Sequence, residues 1–233
     1  MICIQICSKR EWRALKEILC IDLNIVKRYP LGEYINFNIS NEECIFYHSG
    51  ATKTRSSAAC QFAIDNWKPT INFVLGTCGG VAEELKILDV IIANKTVQYD
   101  CLVKMGKEKP LFYEPLLTSI DNSWIDFKGL SEKIYEGIVA TADQDLGKES
   151  LEILKKENVL CADWESGAIA FICALNNVKC CIVRGITDIP VIEDENSDIN
   201  QDIDYRVNTP KVMEKLLKSI LPKLISSFVM IRG

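Results

Sequence analysis

Ala162-Asp163-Trp164-Glu165-Ser166-Gly167-Ala168-Ile169-Ala170, followed after a short gap by Cys181-Ile182-Val183-Arg184-Gly185-Ile186-Thr187-Asp188, is the stretch that decides the fold. The first part reads as a carboxylate at the mouth of a helix of small residues. The second reads as a buried strand that ends on another carboxylate. Helix followed by strand, repeated along the chain, is the signature of an α/β sheet. In open α/β sheets, ligands bind in the crevice beyond the carboxyl ends of the strands. Glu165 and Asp188 therefore stand where two acids can face one small molecule.

Working outward, residues 2–7 alternate as a strand, and Glu11 to about Lys27 carries helix-spaced apolar residues (Trp12, Leu15, Ile18, Leu19). Residues 35–39 and 43–48 read as a hairpin pair. Ser56–Trp67 is a helix of small residues closed by Pro69. Residues 71–75 form a buried strand, and Gly76-Thr77-Cys78-Gly79-Gly80 reads as a turn after it. Strands at 90–93, 137–141 and 180–186 alternate with helices at 149–157 and 166–177. Residues 102–130 read as an irregular excursion, 189–208 as acidic and irregular, and 210–229 as a closing amphipathic helix. The pattern predicts a single α/β domain over residues 1–233 with a central mixed, mainly parallel sheet.

The bulk properties exclude several classes. The chain has 233 residues, 48% hydrophobic and 25% charged, which is ordinary for a globular protein. A net charge of -5 argues against nucleic-acid binding, which needs a basic face. No apolar run approaches the ~18 residues that span a bilayer. The opening Met-Ile-Cys-Ile-Gln-Ile-Cys reads as a strand and not as a signal peptide, so a cytoplasmic protein is expected. Eleven cysteines without regular spacing, and one histidine, His48, argue for reduced, buried thiols and against a disulfide framework or a metal site. No cofactor is expected. Cys78 stands apart because it lies in the glycine-rich segment.

Each candidate residue also has an ordinary structural reading. Glu165 could be a first-turn carboxylate favoured by the helix dipole, Asp188 a turn cap, Glu11 a helix starter, and Arg184 an ion-pair partner of Asp188 or Glu165. The run Glu193-Asp194-Glu195 reads as a solvated loop, and its closeness to Asp188 makes it a candidate lid. Three carboxylates at converging strand and helix ends, in a chain without Ser-His or Cys-His signals, are less easily explained singly.

The sequence resembles the nucleoside phosphorylase/nucleosidase superfamily and, within it, the 5′-methylthioadenosine/S-adenosylhomocysteine nucleosidases. Ser49-Gly50-Ala51-Thr52-Lys53 resembles the family's Ser-Gly-Ile-Gly-Lys. Gly76-Thr77-Cys78-Gly79-Gly80-Val81-Ala82 resembles Gly-Ser-Ala-Gly-Gly-Leu-Ala. Asp163 to Ala170 resembles Glu-Met-Glu-Ala-x-Ala-Ile-Ala, and Val183 to Asp188 resembles Val-Arg-Ala-Ile-Ser-Asp. The segments occur in family order over nearly the whole chain.

The resemblance implies a three-layer α/β/α sandwich, a homodimer and cleavage of a purine N-ribosidic bond. It assigns Asp188 as the acid at N7 of the leaving purine, Glu165 as the ligand of the ribose diol and Glu11 as the carboxylate that orients the water. Thr77 matches a hydroxyl that helps hold that water. Cys78, Gly79, Asp163, Trp164 and Arg184 fall in the matched motifs and join the substrate-binding set, with Tyr205. Trp164 stands where the family has a methionine under the sugar. Asp145 and Leu146 stand where it offers an aromatic-aliphatic pair to the base. The apolar Leu111-Phe112-Tyr113 marks a contact surface for a second subunit. Two alternatives stay open: a phosphorylase of the same fold, and a non-catalytic nucleoside-binding protein. The apolar Phe73-Val74-Leu75 before Gly76 offers no cation for phosphate, and Arg10, Lys53 and Arg55 are the only basic residues near the matched loops.

Overall fold

A computed structural model describes residues 1–103, 105, 112–130, 132–190 and 197–231. Leu111 and the Glu193-Asp194-Glu195 run, a contact residue and a lid in the sequence reading, lie outside the described residues.

The chain opens with β1 (Ile2–Ile6), α1 (Lys9–Ile18), β2 (Lys27–Tyr29), β3 (Gly32–Ile39) and β4 (Glu42–His48). It continues through α2 (Lys53–Trp67), β5 (Ile71–Gly80), β6 (Val90–Gln98), β7 (Thr118–Ser119) and β8 (Ile134–Thr141). It closes with α3 (Lys148–Lys156), β9 (Val159–Asp163), α4 (Ser166–Leu175), β10 (Lys179–Asp188), α5 (Ser197–Lys215) and α6 (Leu221–Met230), the last two joined by a π-helical turn at Leu216–Ile220.

The strands form one mixed sheet in the order β10-β6-β8-β9-β5-β1-β4-β3-β2, with β7 on β6. The longest registers are parallel, as expected: β10 on β5 and β6 on β8. The resemblance implies a three-layer α/β/α sandwich around the sheet. The pairing instead closes a ring, because β10 bonds both β5 and β6. The closing joint is β5 against β9, antiparallel over only Gly79↔Ala162 and Gly80↔Cys161. Two groups of strands that run in opposite directions thus overlap at their carboxyl ends. This overlap directs the loops after β1, β4, β5, β8, β9 and β10 to one crevice.

Several elements differ from the sequence reading. Helix α1 stops at Ile18, since Cys20 takes φ 51° and Asp22 caps a short 3-10 turn by accepting from Asn24 N–H at 2.9 Å. The glycine-rich segment after Leu75 is strand, not turn: β5 runs to Gly80 because β10 and β9 satisfy its backbone. The expected irregular stretch from residue 197 is helical, and α5 continues through Pro210, which reads in the sequence as a helix start. Contacts to β10 and α1 hold α5 in place of a strong apolar stripe. Strands β2, β7 and β9 have no counterpart in the sequence reading.

The largest core lies under the C-terminal helices, where Leu216, Leu217, Leu224 and Phe228 pack on Ile4, Phe73 and Val183. A second core, with Cys60, Ile169 and Cys173 against Val74 and Ile182, seats α2 and α4 on the sheet. All eleven cysteines are free thiols, and most are buried. Among the described residues no helix is long and apolar enough to cross a membrane, and no cluster of His, Cys, Asp and Glu is placed to hold a metal ion.

Candidate active site

The main cavity, about 590 Å³, opens at the crevice where the strand ends converge. Its first wall comes from α1. Ser8 caps this helix: Glu11 N–H donates to Ser8 Oγ at 3.1 Å, and Ser8 N–H donates to Glu11 Oε2 at 2.8 Å. The capping box thereby turns the Glu11 side chain back toward the end of β1. Its other oxygen, Oε1, accepts from Thr77 N–H at 2.6 Å and Thr77 Oγ at 2.8 Å. Glu11 is 3% exposed, so a single orientation is fixed from two elements.

The floor is an ion-pair group at the joint between β9, α4 and β10. Asp163, the last residue of β9, accepts from Thr141 Oγ at 2.7 Å, Ser166 N–H at 3.0 Å and Glu165 N–H at 3.2 Å, and also from the Ser166 hydroxyl. Arg184 is fully buried and places Nε 2.6 Å from Asp163 Oδ2. Its Nη2 stands 3.8 Å from Glu165 Oε2. Both terminal nitrogens of Arg184 are without a hydrogen-bond partner among the described residues. A methyl group on Gly76 would lie 2.1 Å from Arg184 Nη1 and 2.7 Å from Glu11 Oε1. The guanidinium and the Glu11 carboxylate therefore converge above a backbone that only glycine leaves bare.

Glu165 occupies the N-cap position of α4 without a side-chain cap bond, and its carboxylate accepts from Thr52 N–H at 3.3 Å. Burial, and then the neighbouring Asp163, push its carboxyl up to about 8, against the pull of Arg184. Asp188 ends β10 and accepts from Thr187 Oγ at 2.7 Å. Burial is the main cause that pushes its carboxyl up to about 6, with Asp204 and Asp145 adding repulsion. Asp188 Oδ2 lies 3.2 Å and Leu146 Cδ2 3.6 Å from the point above Gly79 that a side chain would fill. Without a β-carbon there, a flat ligand can approach the strand.

Glu11, Thr77, Cys78, Gly79, Asp145, Leu146, Asp163, Trp164, Glu165, Asp188 and Tyr205 all line this cavity, and Arg184 lies directly beneath it. Arg184 pairs with Asp163 and Glu165; of the two partners named for it in the sequence reading, Glu165 is found and Asp188 is not. Sequence reasoning missed Tyr99, Gln201 and Asp202, which also line the cavity. Ser8, Ala51 and Gln144 line it too; they fall in loops or motifs that the sequence marks, without a role assigned to them. Lys53 and Arg55 are accounted for elsewhere: Lys53 pairs with Asp100 at 2.5 Å, and Arg55 covers Gly50.

Comparison with known proteins shows the family. The family model for the phosphorylase superfamily matches residues 2–222. The 5′-methylthioadenosine/S-adenosylhomocysteine nucleosidase of Buchnera aphidicola subsp. Acyrthosiphon pisum (strain APS) is 30% identical over 229 residues, covering 93% of this chain and 95% of the relative. The aminodeoxyfutalosine nucleosidase of Helicobacter pylori (strain J99) is 26% identical over 93% of this chain and 96% of the relative. The crystal structure of Helicobacter pylori 5′-methylthioadenosine/S-adenosylhomocysteine nucleosidase with butyl-thio-DADMe-Immucillin-A superposes with a TM-score of 0.78 at 22% identity, covering 96% of this chain and 98% of that one. By sequence and by fold, the chain belongs to the phosphorylase superfamily.

Proposed function

We propose that this protein is a purine nucleosidase that hydrolyses the N-ribosidic bond of 5′-methylthioadenosine, S-adenosylhomocysteine or both. The reading rests first on one observation. The cavity is lined by six carboxylates, Glu11, Asp145, Asp163, Glu165, Asp188 and Asp202, and, among the described residues, by no lysine or arginine. A phosphate dianion needs fixed positive charge and multiple donors. Water needs only a base and a hydroxyl.

Breaking the bond puts positive charge on the sugar and negative charge on the purine. Asp188, whose proton is retained by burial up to about pH 6, is placed to protonate or hydrogen-bond N7 of the leaving base. Glu165, at the mouth of α4, takes the ribose hydroxyls. Glu11, held by Thr77 and Ser8, orients and deprotonates the water. The acid above one face and the base on the other follow the logic of inverting glycosidases. Trp164, 37% exposed on the cavity wall, covers the sugar, and Asp145 and Leu146 meet the base. No cofactor enters this chemistry.

We further infer that residues 1–233 act as one domain, and that the protein works as a cytoplasmic homodimer in methionine salvage. Tyr113, 39% exposed, and the neighbouring Phe112 supply apolar surface for the second subunit.

Product identity tests the reaction. Incubation with methylthioadenosine in phosphate buffer should release adenine and free methylthioribose at a rate independent of phosphate. A pentose 1-phosphate product whose rate saturates in phosphate would make the protein a phosphorylase. Tight binding without free base would make it a nucleoside-binding protein.

A further inference from the structure

The underside of the α2–α4 pair holds a group of thiols that the cavity does not use. The sheet supplies one row of it. Cys3 on β1 and Cys180 on β10 both stand in parallel register with Asn72 on β5, so the three side chains leave the same face. Cys60 of α2 and Cys173 of α4 close over that row, and their sulfurs are 3.6 Å apart. Asn72 is fixed in orientation, because its Oδ1 accepts from the Tyr47 hydroxyl at 3.1 Å. Its Nδ2 therefore points at the sulfurs, 3.7 Å from Cys60 and 4.0 Å from Cys173. Cys3, Cys60 and Cys173 are buried, and Cys180 is partly exposed.

The donors converge on one sulfur. Hydrogen bonds from Cys180 and Cys60, with Asn72 adding a third, push the Cys173 thiol below its ordinary range against the effect of burial. The same bonds to Cys173, and then burial, push the Cys60 and Cys180 thiols up. A thiolate held against neighbouring thiols is the arrangement that oxidises to a disulfide. Its position ties this group to the ribose end of the cavity. The N-caps of α2 and α4 meet where Thr52 N–H donates to Glu165 at 3.3 Å. Cys60 lies eight residues beyond Thr52, and Cys173 eight residues beyond Glu165. Each separation spans about 12 Å of helix. The two helices thus run side by side, touching at the carboxylate and again at the sulfurs.

We propose that Cys60 and Cys173 form a redox site, which a hydroperoxide converts to a disulfide between α2 and α4. The Cys173 thiolate attacks the peroxide: an S–O bond forms, the O–O bond breaks, and the leaving hydroxide takes up a proton as water. Cys60 then attacks the sulfenic sulfur: the S–S bond forms, the S–O bond breaks, and water leaves with the Cys60 proton. Two thiols are oxidised, and one peroxide is reduced to water. Cys180, partly exposed and against Cys173, marks the way in. An S–S bond is about 2.05 Å long, so the two sulfurs must draw together by about 1.5 Å. Resting on the nucleosidase reading, this movement displaces Glu165 from the ribose, and a shift of about 1 Å is enough to slow catalysis strongly.

The test treats the reduced protein with hydrogen peroxide. Non-reducing peptide mapping by mass spectrometry should show a Cys60–Cys173 cross-link that dithiothreitol removes. The melting temperature should rise by about 5–10 °C, since the bridge joins residues 113 apart in the chain. On methylthioadenosine, kcat/KM should fall about tenfold or more and recover with dithiothreitol. Cys60→Ala should show neither the rise nor the reversible loss, and should hold Cys173 as a sulfenic acid that dimedone traps. Peroxide that leaves Cys60 and Cys173 as thiols, or that links Cys173 to Cys180 instead, would overturn the site. A cross-link that leaves kcat/KM unchanged would overturn its coupling to Glu165. A cross-link in a protein that cleaves no nucleoside would support the redox site and overturn the nucleosidase reading.

Discussion

Thr77 grips Glu11 twice, through its backbone N–H at 2.6 Å and its hydroxyl at 2.8 Å, both on the same carboxylate oxygen. The two residues come from β5 and α1, so the Glu11 carboxylate is fixed by the sheet and by the helix that follows β1. The strand supplies one bond that no side-chain change removes. The hydroxyl supplies the other.

This separates two substitutions. Glu11→Gln removes the proposed base and should lower kcat by about 10²–10⁴-fold, the usual span for general acid–base catalysis. Thr77→Val keeps the backbone bond and should lower kcat only about tenfold, near the effect of losing one hydrogen bond to a charged group. Steady-state kinetics on purified, folded variants decide it. A Thr77→Val enzyme as slow as Glu11→Gln would show that the hydroxyl itself holds the water.

On the proposed mechanism, the Asp188 proton sets the pH dependence. Burial raises its carboxyl to about 6, and the acid acts only when protonated. The sign follows: kcat/KM is highest below about pH 6 and falls as pH rises through that value. A purine in the cavity removes more water, so the descending limb of kcat should lie at higher pH than that of kcat/KM. Asp188→Asn should abolish most activity and also that limb. A limb that survives in the Asn variant would assign it to another group.

Much of this site was legible before the fold. Glu165 and Asp188 stood out because helix and strand patterns end on them, and the cavity includes both. Glu11 was legible through its position after β1. The Asp163–Arg184 contact was not, because β9 is short and carries no alternation that marks it as a strand. Without β9, nothing in the sequence brings Asp163 beside Arg184. The glycine segment misled for a related reason. Its composition reads as a turn, but its glycines serve close approach: Arg184 and Glu11 over Gly76, and the Asp188 carboxylate beside Gly79. Asp202 was hidden in an acidic stretch whose helicity comes from contacts with α1 and β10 and not from its own pattern.

Arg184 is the fully buried cation of this group, and it faces two carboxylates. Arg184→Met keeps the length of the stem but leaves Asp163 and Glu165 facing each other without a counter-charge. Breaking a buried pair in this way costs about 3–5 kcal/mol. Gly76→Ala drives a methyl group into the same guanidinium and should cost about 1–3 kcal/mol by overpacking. Chemical denaturation of both variants measures this. A Met variant as stable as the wild type would mean that the carboxylates take up protons at no net cost.

Glu165 gives a test of that charge balance that needs no substrate. Its carboxyl is raised from its ordinary value of 4.5 to about 8, chiefly by burial. In the folded protein it therefore holds its proton over a range in which the unfolded chain has lost it. The sign is that of a raised acid: the contribution to stability is full below the unfolded value and is lost as pH rises toward about 8. Glutamine has the same shape and no charge, and it does not titrate. Glu165→Gln should therefore gain stability relative to the wild type as pH is raised from about 5 to about 9. Melting temperatures of the two proteins, compared at each pH, remove the background from all other carboxylates. A difference that stays flat across this range, or that moves in favour of the wild type at high pH, would show that Arg184 keeps Glu165 ionised. The ribose diol would then meet a carboxylate throughout.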